Sequence, residues 1–153
     1  MPIHANTSVI ASILGSTDVS TVCKSQALTH CFFIMNQRIK EAWIKALRSG
    51  DYKQGRETLN CNGEFCCLGV LTDLYIKEYN RSWSQLVDEP DCSLMCFEDG
   101  GDLLPESVIQ WADVTSNDPI IDEADDAIYR ISYYNDEERY DFNQLADLIQ
   151  EHL

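Results

Sequence analysis

The sequence predicts a small α+β domain with three or four helices and a small sheet. Three observations predict it. Residues 36–49 and 141–149 each carry apolar side chains at the spacing of one helix face. The stretch between them is cut into short pieces by Asn62-Gly63, Gly100-Gly101 and Leu104-Pro105. The chain has 153 residues, 44% hydrophobic and 24% charged, which suits one domain with a real core.

Residues 1–34 carry one acid and one base, Asp18 and Lys24, and show no helical period. They are expected to form a poorly structured extension, with Met35 as an alternative start. Residues 35–153 are expected to form the single globular domain. Ile39, Ala42, Trp43, Ala46 and Leu47 line the first helix, which Asn36 caps and Gly50 ends. Arg48 in its last turn suits the helix dipole. A turn-rich link over 51–55 leads to a short strand at Glu57–Asn60 and a tight turn at Asn62-Gly63. The second helix runs from about Cys67 to Tyr79, with Cys67, Val70, Leu71, Leu74 and Tyr75 on its apolar face. Gly69 fits its first turn or a close approach by another element.

Residues 82–104 read as one or two short strands. Pro105 takes the first position of a short helix, whose apolar side carries Val108, Ile109, Trp111 and Ala112. An acidic loop is expected over 115–126, a strand over Ala127–Tyr133, and a charged turn around Asn135-Asp136-Glu137-Glu138. Asp141 caps the last helix, and Phe142, Leu145, Ala146 and Ile149 line it. Trp43 and Trp111 are expected in the core.

Net charge is −15, from 26 acids and 11 bases. Residues 82–153 hold nineteen acids and two bases, and no Lys or Arg lies between Arg81 and Arg130. This excludes electrostatic binding to nucleic acid or anionic membrane, which needs clustered cations. No apolar run nears the roughly 20 residues that span a bilayer. The acidic half favours a basic partner, and Asp122, Glu123, Asp125 and Asp126 are the candidate contacts. The same four carboxylates do not match a calcium loop, since the Gly and the spacing are absent.

The seven cysteines are odd in number, and residues 1–14 hold no Lys or Arg for a secretory signal. A reducing cytosol is therefore expected. Cys61, Cys66, Cys92 and Cys96 can be written as a zinc set. Their spacings lack the tight knuckle pairs of a zinc ribbon, so core thiols are the preferred reading and no metal is expected. No Walker or dinucleotide fingerprint is present, and no cofactor is expected. A small basic turn, Arg48, Lys53 and Arg56 near Gly50 and Gly55, with Tyr52 and Gln54 beside it, is the candidate site for an anion or nucleotide.

The run Trp43-x-x-Ala46-Leu47-Arg48-Ser49-Gly50-x-Tyr52-x-Gln54-Gly55 is followed by Phe65-Cys66-Cys67-Leu68-Gly69-Val70-Leu71. Leu104-Pro105, Trp111-Ala112, Asn135-Asp136 and Phe142-x-x-Leu145-Ala146-Asp147-Leu148-Ile149 come after. Together, over residues 35–153, these resemble a family of small uncharacterised proteins encoded by bacteriophages and prophages. The resemblance implies a host cytoplasm and no particular reaction. Tyr52 to Val70 is also similar to the start of NlpC-type papain-like peptidases, which implies Cys67 as a nucleophile at a helix N-terminus. Cys66 and Leu68 depart from that pattern. The only His after Cys67 is His152, at the chain end, so no base is at hand. The leading expectation is a phage accessory protein that binds a basic host protein, more binder than enzyme. The diverged cysteine hydrolase and a small-ligand module are the alternatives, and the oligomeric state is left open.

Overall fold

The structure is a computed structural model and describes residues 35–89, 92–124 and 127–153. The extension expected over 1–34 lies outside the described residues, as do Asp125 and Asp126. Among the described residues, five helices, a five-stranded mixed sheet and a two-stranded sheet make up an α+β domain.

Helix α1 (Gln37–Arg48) starts where Asn36 accepts a hydrogen bond from the Ile39 amide, at 3.4 Å. It buries Ile39, Trp43 and Leu47 against α2 (Cys67–Glu78) and α5 (Phe142–His152). Trp43 is fully buried, and its Nε1 donates to the Cys67 carbonyl at 2.9 Å. The chain leaves α1 through Gly50 at φ +79°.

Helix α2 is the centre of the fold. Cys66 caps it, its Sγ accepting from the Gly69 amide at 3.4 Å. Every residue from Cys67 to Asp73 is buried, so its first two turns have no solvent face. The one-sided stripe expected from sequence is thus too narrow, and Leu74 and Tyr75 are only half-buried. Gly69 is where the Leu59 backbone crosses the helix. A Cβ there would lie 1.7 Å from the Leu59 carbonyl oxygen.

The larger sheet has the order β1 (Lys53–Gln54), β3 (Glu64–Phe65), β2 (Asn60–Cys61), β5 (Cys92–Cys96), β4 (Ser84–Glu89). Only β1 and β3 pair parallel. Asn62 and Gly63, at φ +56° and +77°, join β2 to β3 in the two-residue turn that matches strand twist. The strand expected at Glu57–Asn60 is displaced to Asn60–Cys61. Glu57 sits at φ +66°, outside the extended region, with its amide held by Asp136 at 2.9 Å.

Helix α3 (Glu106–Ala112) begins after Pro105, which is its N-cap rather than its first residue. Residues 120–124, expected as loop, form β6 (Ile120–Ala124), paired antiparallel with β7 (Ala127–Arg130). The strand expected to reach Tyr133 ends at Arg130 and turns into α4 (Ile131–Asp136). The cause is tertiary. Buried Asp118 accepts from the Ser132 amide at 3.2 Å and from its hydroxyl at 2.5 Å, which caps the helix from a distance. A capping box opens α5, with Asp141 accepting from Gln144 N and Gln144 Oε1 accepting from Asp141 N. Trp111 is half-buried instead of core, edge-on to Tyr75 at 5.4 Å and bonded to Glu78. No helix among the described residues is long and apolar enough to cross a membrane.

Candidate functional site

Two surfaces combine polar chemistry with exposed or accessible apolar groups. The first is a cleft of about 620 Å³ between α1, the 51–52 turn and α2. Ala42, Ala46, Phe65 and Leu74 give it apolar walls. Its polar end is built on Asp73, which is 7% exposed. Such a carboxylate requires partners to stay charged. Tyr52 Oη donates to its Oδ2 at 2.7 Å, Lys77 Nζ lies 2.7 Å from the same oxygen, and Trp83 Nε1 donates to Oδ1 at 2.9 Å. Lys77 also donates to Tyr52 Oη at 2.9 Å and sits 4.9 Å from that ring's centre. The bonds to Asp73 and then Tyr52 push the Lys77 ammonium pKa up, and burial raises that of the Tyr52 phenol. The helical Asp73–Lys77 step of four residues supplies the geometry.

The second surface lies on β6, β7 and α4. Tyr129, Tyr133, Tyr134 and Tyr140 form a continuous ladder of rings with centres 5.3–6.3 Å apart. Exposed Asp122, Glu123, Glu137 and Glu138 accompany it. Tyr133 donates to Glu138 at 2.7 Å, and that bond pushes its pKa up to about 12. Burial first, and then the charge of Asp122, raises the Tyr134 phenol. Ile128, on the same hairpin, is 57% exposed.

The model of one family, a domain of unknown function (DUF8296), matches residues 35–153. The chain belongs to this family. No curated protein and no solved structure matches it. The DUF8296 match begins at Met35.

Within the DUF8296 domain the residues of the expected basic turn go separate ways. Arg48 turns to α5, where it meets Asp147 and Gln150. Tyr52 enters the cleft. Gln54 and Gly55 serve Asn135, which is fully buried. Gln54 Nε2 donates to Asn135 Oδ1 at 3.3 Å, and Asn135 Nδ2 donates to the Gly55 carbonyl at 3.2 Å. Asn135 Oδ1 also accepts from the Cys67 amide at 3.3 Å. Arg56 borders a smaller cavity of about 330 Å³, and its buried Nε has no hydrogen-bond partner among the described residues. Arg48 and Arg56 therefore do not converge on one anion.

Cys67 lies at the helix start, as the peptidase resemblance implies, but it is fully buried. Burial holds its thiol well above the ordinary range and pushes Cys66 up to about 12. A neutral, covered thiol lacks both the thiolate and the access that nucleophilic catalysis needs. His152, the one histidine among the described residues, belongs to the last turn of α5 beside Glu151. No group of three or more His, Cys, Asp or Glu side chains converges among the described residues.

Sequence reasoning missed Asp73, Lys77 and the tyrosine ladder. A lone Asp inside Cys66–Tyr75, with Lys four residues after it, was the available signal for the first two. The ladder was hidden by the strand expected to reach Tyr133. In a strand Tyr133 and Tyr134 point to opposite faces, whereas α4 lets both rings meet.

Proposed function

We propose that the chain is a phage-encoded accessory protein that binds a basic host protein in the host cytoplasm through the tyrosine ladder and its carboxylates. The observation that carries this reading is the ladder itself: four touching tyrosines accompanied by Asp122, Glu123, Glu137 and Glu138. Tyrosine offers large contact area at low entropy cost, and its face attracts guanidinium groups. The carboxylates steer a cationic partner towards the rings. Ile128 adds an apolar contact. The phage origin rests on the resemblance over residues 35–153.

The test uses the full chain as bait in bacterial host lysate at low salt, with Asp122→Asn/Glu123→Gln and Tyr133→Ala baits beside it. A single stoichiometric basic protein is expected, released by salt and lost with both variants. Retention that ignores salt, or that both variants keep, overturns the reading.

A further inference from the structure

The four cations of α1 are not equivalent. Arg38 is paired with Glu78 at 3.0 Å, Lys40 donates to the Gln150 carbonyl at 3.1 Å, and Arg48 meets Asp147. These three tie α1 to α2 and α5. Lys45 alone among them has no hydrogen-bond or ion-pair partner among the described residues, and it borders the Asp73 cleft. Lys77, on the facing helix, has three donors and uses two of them, on Asp73 and Tyr52. The cleft thus holds an uncommitted ammonium and a spare N–H beside walls of Ala42, Ala46, Phe65 and Leu74.

We propose that this cleft is a binding site for a small organic monocarboxylate with an apolar or aromatic body. The carboxylate sits against Lys45 and the spare Lys77 donor, and the body lies on Phe65 and Leu74. The volume of about 620 Å³ falls within the range of small-molecule sites. The charge balance of the cleft, Lys45 and Lys77 against Asp51 and Asp73, allows no more than a monoanion. Lys77 is offset by Asp73, Asp51 also borders the cleft, and the whole chain is at −15. A doubly charged phosphate would meet repulsion that one free ammonium does not offset. An apolar body supplies the remaining affinity. The site uses other elements than the tyrosine ladder and stands independently of it.

The experiment is a titration of the full 153-residue chain with 3-phenylpropanoate, followed by amide chemical shifts. Controls are 3-phenylpropanol, acetate and inorganic phosphate. Shifts are expected to saturate over residues 42–52 and 73–77 with the carboxylate. The alcohol, acetate and phosphate should each bind at least about fivefold more weakly. Lys45→Gln should weaken binding about fivefold, as loss of one charge-assisted contact implies. Ala42→Phe, at a half-buried wall position, should block it, with unchanged amide dispersion elsewhere showing that the fold is kept. No saturable shift, equal binding of the alcohol, or undiminished binding to Lys45→Gln overturns the proposal.

Discussion

Asn135 joins three segments that are far apart in sequence. Its amide holds Gln54, the Gly55 carbonyl and the Cys67 amide, so the 51–57 turn, the start of α2 and α4 share one buried side chain. A fully buried amide is tolerable only because its donors and acceptor are used. Cys66 and Cys67 lie in the same dry region, with thiols raised by burial. They should therefore resist alkylation while the domain is folded. Iodoacetamide at pH 7.5 followed by peptide mapping is expected to label the half-exposed Cys61 and Cys96 and to spare Cys66 and Cys67. In denaturant all four should react. Native labelling of Cys67 would restore the hydrolase reading.

At the scale of elements, the Leu59 segment crosses α2 at Gly69 with no room for a side chain. Gly69→Ala places a Cβ against backbone oxygen and carbon, at 1.7 and 2.6 Å, which no rotamer can relieve. Either α2 or the 58–61 chain must move. The expected loss is about 3 kcal/mol or more, measured by urea unfolding, against a gain of up to about 1 kcal/mol for the same change in an open helix. The sequence showed that a glycine in this helix needed a reason and offered close packing as one. It did not show the partner, because Leu59 comes near only after the Asn62-Gly63 hairpin folds back. The same contrast separates the two ends of the chain. Helices α1 and α5 carry their own caps, Asn36 and Asp141, and were legible. Helix α4 depends on Asp118, fourteen residues before Ser132, and its β-branched and aromatic residues read as strand.

At the scale of the molecule, charge governs response to solution conditions. A chain at −15 repels itself, so added salt should raise Tm near neutral pH. Burial raises the Asp118 carboxyl above its ordinary value. A group raised in the folded state contributes fully below its unfolded pKa of about 4, and that contribution is lost as pH rises through the folded value. Glu78 acts the other way: its bond to Arg38 lowers it, and its small, exposed contribution is lost as pH falls through the folded value. Thermal unfolding should therefore show Tm rising as pH falls through the folded Asp118 value towards about 4. Asp118→Asn should flatten that slope while keeping an acceptor for the Ser132 amide. A Tm that falls steadily over the same range would refute this account.

The sequence by itself determined the α+β class, the first two helices and the last, the Asn62-Gly63 turn and the acidic bias of residues 82–153. Each of these rests on local signals: apolar period, capping residue, turn dipeptide, charge count. Only the tertiary structure decided that α2 is buried all round its first two turns, that Arg48 and Arg56 part company, and that Tyr129 to Tyr140 meet. It alone placed Tyr52, Lys77 and Trp83 around Asp73. Those features depend on contacts between residues many positions apart, and periodicity along the chain carries no record of which distant side chain will arrive.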